Sequence, residues 1–220
     1  MKKVLFLALC VCLLTGCSMS SVKIETQKKE YETTDYKISM DIPQIKTDIP
    51  YRDKFNADYQ SLSDEIFNTF SAEAINSEAT KDLLTMVQEI KLNKKNILSV
   101  VGHIEAFTGG AQNQLYRVTR NIDLANCREL EFVDLFTDTE YQSRINSYIK
   151  TKMQEDPEQF SSLWKTPQVS DNQEFFLSPD GVVIFFPPYE LSYYSKGFVE
   201  ITIPYDELEG YLIPEILALK

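Results

Sequence analysis

His103 is the only histidine in the chain, and that restricts the available chemistry at once. A histidine-rich metal site needs several imidazoles, and a zinc site without them needs clustered cysteines. Neither pattern is present, so no metal and no cofactor is expected. No nucleophile elbow, phosphate-binding loop or zinc-protease motif occurs. Acids number 33, so spacing alone leaves room for a carboxylate pair of the kind that cleaves glycosidic bonds. A cell-wall glycan hydrolase therefore stands as an alternative reading. The main expectation is that the chain has no catalytic residues and is not an enzyme.

The cysteines carry more. Met1-Lys2-Lys3 is a short basic start, Val4–Leu13 is an apolar run, and Leu14-Thr15-Gly16-Cys17 follows directly. That order is a secretory signal, too short to span a membrane. Its end resembles the bacterial lipobox, in which small residues let a peptidase approach the backbone before a cysteine. The resemblance implies cleavage after Gly16, diacylglycerol on the Cys17 thiol and acylation of the new amino group. The chain would then be held on the extracytoplasmic side of a bacterial membrane, each buried methylene adding roughly 0.8 kcal/mol. Cys10 and Cys12 leave with the signal peptide, so no disulfide can form within the mature chain. Cys127 remains, as a buried small hydrophobe or a semi-exposed thiol.

Net charge is −11. Loss of residues 1–16 removes Lys2 and Lys3 and no acid, giving −13. Nucleic acid is an unsuitable partner, because phosphates require basic neutralisation. A basic protein is permitted through field complementarity.

The stretch that organises the fold is Phe175–Ile203. Ser178-Pro179-Asp180-Gly181 is a turn between apolar runs, and Phe198–Ile203 reads as a third strand. Ten aromatic residues fall between Phe175 and Tyr211. Upstream, Tyr36–Pro43 alternates as a strand. Phe55, Tyr59, Leu62, Ile66, Phe67, Phe70 and Ala74 lie on one helical face, with Asp53 positioned to cap it. Residues 84–92 and 97–101 suggest a hairpin across Asn93–Asn96, although Leu83, Leu84 and Val87 would also serve a short helix, and Leu115–Leu124 reads as another strand. Leu130, Phe132, Val133, Leu135 and Phe136 form an apolar plug. Thr137–Glu140 fits a capping box for a second helix bearing Tyr141, Ile145, Tyr148, Ile149 and Met153. A terminal helix is expected over Leu212–Leu219.

This pattern predicts an α+β fold, with a largely antiparallel sheet and two main amphipathic helices packed on one face. The expected organisation is a signal peptide at 1–16 and a flexible tether at 17–32. A strand–helix–hairpin half at 33–125 and a helix–hairpin–strand half at 126–220 follow.

Two segments are candidates for recognition. Tyr189, Glu190, Tyr193 and Tyr194 would make a binding patch if exposed, since tyrosine is enriched at recognition surfaces. If buried, Glu190 needs a partner such as Lys196 or backbone N–H groups. Thr108-Gly109-Gly110 suits a tight backbone crossing, or less directly a ligand cradle.

Six pieces in order resemble the RsiV-like extracytoplasmic domain family. They are Ile97-Leu98-Ser99-Val100, Phe107–Ala111, Asn121–Leu124 with Leu135-Phe136, Asp180–Phe186, Pro188-Tyr189-Glu190 with Tyr194 and Gly197, and Ile203–Leu208. The resemblance covers roughly Tyr31 to Tyr211. It implies a non-catalytic binding domain at the cell envelope, with lysozyme or peptidoglycan as the ligand. Gln112 stands where the family often has a histidine, so any role of that imidazole is absent. No sigma-binding or deacetylase segment accompanies the domain. A structural subunit of an envelope complex is a further alternative, and an exposed apolar patch at Leu212–Leu219 would favour it.

Overall fold

Polar sequence forms the first strand. In the computed structural model, which describes residues 21–74, 81–160 and 167–220, β1 (Ile24–Glu32) pairs antiparallel with β2 (Tyr36–Ile45) along its whole length. The flexible tether expected to run to residue 32 is therefore replaced by an edge strand from Ile24 onward. β1 hid from periodicity because its inward position Lys29 is charged. That ammonium reaches Ser63 at 3.2 Å and Asp64 at 3.0 Å on the helix above, and inward charge is one way edges resist further pairing.

Helix α1 (Arg52–Glu73) buries Phe55, Tyr59, Ser63 and Phe70. Asp53 does not cap it. Tyr51 occupies the cap without a side-chain bond, and Asp53 instead accepts from Arg52 Nε at 2.8 Å. The helix carries the chain across to β3 (Asp82–Lys94), which runs parallel to β2, as a strand–helix–strand crossover requires. β4 (Ile97–Phe107), β5 (Gln114–Asp123) and β6 (Arg128–Glu129) then add antiparallel, giving the order β1-β2-β3-β4-β5-β6. A bulge between Ile90 and Leu92 changes which face β3 presents. Leu84 and Met86 join the core under α1, whereas Leu92 joins the other core.

The stretch expected to organise the fold is a second sheet, of β7 (Phe175–Ser178), β8 (Gly181–Phe186) and β9 (Val199–Pro204), all antiparallel. Every residue of β8 is buried. Val182, Ile184 and Phe186 face a core shared with Tyr141, Ile145 and Ile149 of α2 (Tyr141–Glu155). Val183 and Phe185 pack with Phe176 against Val101 of β4. The α+β class and the largely antiparallel pairing are as expected, with one refinement: the described strands form two sheets, and each main helix packs on its own.

Two further expectations change. Thr137–Glu140 is not a capping box, since α2 begins after Glu140 without a side-chain cap. The reciprocal cap lies upstream, between Glu131 and Asp134, on the short 3-10 turn Phe132–Leu135. The terminal helix α3 is only Pro214–Leu217. Leu212, Ile216 and Leu219 are core residues, so no apolar patch is offered there to an envelope complex.

Candidate binding surface

The link from β8 to β9 opens with Pro187-Pro188 and folds back on itself. Tyr189 N–H donates to Ser192 C=O at 3.1 Å, and Glu190 N–H donates to Pro187 C=O at 3.2 Å. Tyr189 takes a left-handed backbone, φ 72°, a conformation costly for a bulky residue and held only where surroundings fix it. The next pair turns inward: Leu191 (1% exposed) enters the core that also holds Phe186, and Ser192 is buried. Tyr194–Lys196 then form a single 3-10 turn.

The result is a knuckle with its polar tips outward. Tyr189 and Tyr193 are 53% and 56% exposed, and Tyr194 is half-buried. The rings of Tyr189 and Tyr194 lie 5.8 Å apart. Glu190 is exposed and needs no internal partner.

The second candidate segment meets the first. Tyr189 Oη donates to Gln112 Oε1 at 3.1 Å, and Tyr194 Oη donates to Asn113 C=O. Glu105, Gln112, Asn113, Leu115, Tyr194 and Lys196 line a cleft of about 500 Å³ between loop and knuckle. Thr108, Gly109 and Gly110 themselves are exposed in the β4–β5 turn. The expected backbone crossing is absent: a Cβ on Gly110 would meet nothing within 4 Å, and φ of 109° accounts for the glycine. Gln112, noted in the sequence only as a departure from a family pattern, joins the knuckle to the β4–β5 turn together with the Asn113 carbonyl. Nothing local marks it, because its partner lies 77 residues away.

His103 lies on the face of β4 that meets the second sheet. Its Nε2 is 3.7 Å from Glu89, and burial and the neighbouring Arg117 push its pKa down. Arg117 is sandwiched between the rings of Phe185 and Phe198 at 4.7 and 4.5 Å and paired with Glu200 at 2.7 Å. Burial holds its pKa below the ordinary arginine value. This cluster joins the two sheets and presents no nucleophile. Among the described residues no group of three or more histidine, cysteine or acidic side chains is placed to hold a metal. Cys127 is exposed, not buried, on a left-handed turn of φ 53°. Cys17 and the motif Leu14, Thr15 and Gly16 lie outside the described residues.

Fold and surface together define an α+β domain, built of two sheets among the described residues, that carries an aromatic knuckle at one end. Residues 133–206 match the family model described as a protein of unknown function, DUF3298. A crystal structure of a DUF3298 family member from Bacteroides fragilis is similar in fold, with a TM-score of 0.70 at 18% identity. That likeness covers 92% of this chain and 99% of that one. A DUF3298 family protein from Pseudomonas aeruginosa aligns with a TM-score of 0.57 at 11% identity, over 89% of this chain and 96% of that one. No curated protein matches the chain. Among the described residues no helix is long and apolar enough to cross a membrane.

Proposed function

We propose that this chain is a lipid-anchored binding protein of the bacterial cell envelope, which recognises a basic protein of the lysozyme type without transforming it. The observation that carries the reading is the knuckle. Tyr189 and Tyr193 are more than half exposed on a segment anchored by buried Leu191 and Ser192 and braced by Gln112. Tyrosines held this way lose little conformational freedom on binding, and such anchors dominate interface energetics. Exposed Glu190 and Glu105 at the same end, in a chain of net charge −11, suit a cationic partner. The lipobox ending at Cys17 supports the anchor, and the resemblance to the RsiV-like family supports the ligand class.

Retention of the purified protein on immobilised lysozyme, at low and at moderate salt, tests the reading. Retention that weakens with salt and is lost in a Tyr189→Ala, Tyr193→Ala double variant is expected. No retention at either salt removes lysozyme as the ligand.

A further inference from the structure

Val22 and the knuckle lie at opposite ends of the large sheet. Val22 is clamped to Asn93, which accepts from Val22 N–H at 2.9 Å and donates to Val22 C=O at 2.7 Å. Asn93 sits at the β3 end of the β3–β4 turn, where Lys94 pairs with Ile97. The knuckle instead meets the far end of β4, at Glu105, and the start of β5, at Asn113. β4 has 11 residues, so about 34 Å separates the two ends at a strand's rise per residue. From Cys17 to Val22 there are only five steps of chain, which span at most about 18 Å even when fully extended.

The end near Val22 gathers four lysines. Lys23, Lys46, Lys94 and Lys95 are exposed there. Glu25 is paired with Lys23 at 2.6 Å, and Asp48 with Arg52 at 2.8 Å. The ammonium groups of Lys94 and Lys95 donate to the C=O groups of Leu219 and Ala218. Neither these two nor Lys46 lies within ion-pair distance of a carboxylate among the described residues, whereas the opposite end presents Glu105 and Glu190 beside a single lysine, Lys196.

We infer that the anchored domain stands end-on against the membrane, with Lys46, Lys94 and Lys95 on anionic lipid headgroups and the tyrosine knuckle facing away. Exposed lysines outside ion-pair distance of a carboxylate are attracted to an anionic bilayer within a Debye length, and exposed carboxylates such as Glu105 and Glu190 are repelled. The short chain after Cys17 holds Val22 no more than about 18 Å from the bilayer, which lets the lysine end come into that range. The inference rests on the lipid anchor proposed above, and it places the recognition surface where a soluble partner can reach it.

Cys127 offers a reporter. It is exposed on the turn after β5, whose end residue Asp123 pairs with Ile97 at the lysine end. With Cys17 blocked by lipid, a fluorophore on Cys127 reports that end in the full chain. Tyr193→Cys in a Cys127→Ser background reports the knuckle. In phosphatidylglycerol vesicles carrying a headgroup quencher, the Cys127 label should be quenched several-fold more than the label at 193. Lys46→Glu, Lys94→Glu, Lys95→Glu together should bring the two labels to within twofold. Equal or reversed quenching in the lipidated wild type overturns the orientation and leaves the anchor intact. An order that survives the charge reversals overturns the headgroup contact. Failure of radiolabelled palmitate to attach to the chain overturns the anchor itself, and is read separately.

Discussion

Ser99 of β4 donates to Asn121 of β5 at 2.6 Å, and both are buried. Each then bonds the second sheet: Asn121 Nδ2 donates to Phe175 C=O at 3.0 Å, and Leu177 N–H donates to Ser99 Oγ at 3.0 Å. Two buried polar side chains thus fasten the backbone of β7 to the large sheet. Without them, an N–H and a C=O of β7 would be buried with no partner.

Replacing either should therefore cost more than the bond it makes. Ser99→Ala and Asn121→Ala are each expected to destabilise by about 2–3 kcal/mol. The double variant should fall short of the sum, because the two act as one network. Denaturant titration of the four proteins measures this, and strict additivity would dissolve the network.

Arg117 and Glu200 make the second fastening, with unequal exposure. The Arg117 side chain is 6% exposed and that of Glu200 39%. Arg117→Ala loses two ring stacks as well as the ion pair, and should cost about 3 kcal/mol. Glu200→Gln leaves the stacked guanidinium in place and should cost about 1 kcal/mol. Urea melts giving the reverse ranking would contradict the sandwich.

His103 gives the chain a pH dependence with a definite sign. Burial first, then Arg117 and Lys91, lower its folded pKa below 6.5, while Glu89 and Glu200 oppose the shift. The unfolded chain therefore binds the proton more readily. The contribution is present above pH 6.5 and is lost as pH falls from there through the folded pKa. His103→Gln should flatten thermal stability across that mildly acidic range, above the titration of most carboxylates. An unchanged slope would assign it to other groups.

Gly181 follows the Pro179-Asp180 turn, and β9 closes on it. A Cβ there would stand 2.1 Å from Ile203 C=O, at φ 156°. Gly181→Ala should cost about 2 kcal/mol or more and loosen the β8–β9 pairing. Amide exchange along β8 and β9 is the direct measurement, and wild-type protection in the variant would exclude the clash.

At the knuckle, loss of binding should separate from loss of stability. Tyr193→Ala removes a ring that is 56% exposed, and should weaken lysozyme retention about tenfold with the melting temperature unchanged. Leu191→Ala removes the buried anchor beneath, and should cost about 2–4 kcal/mol of stability. Equal effects on both readouts would make the tyrosine structural.

Much of the fold was legible because it is written in short spans. The helical face from Phe55 to Phe70 and the turn between Leu177 and Val182 each declare themselves within a few residues, since periods of 3.6 and two are local properties. The acidic balance and the single histidine are likewise sequence facts. Tertiary structure alone decided that β7–β9 form a second sheet. β8 is buried on both faces, so its continuous apolar run does not say what covers either one. It also decided that polar Ile24–Glu32 is a strand, because an edge strand owes its place to its partner's hydrogen bonds and not to its own alternation. The pairing of Tyr189 with Gln112, and the opposite placement of Val22, arise from contacts between residues far apart in the chain. No local pattern encodes such contacts, because they exist only once the strands have found their register.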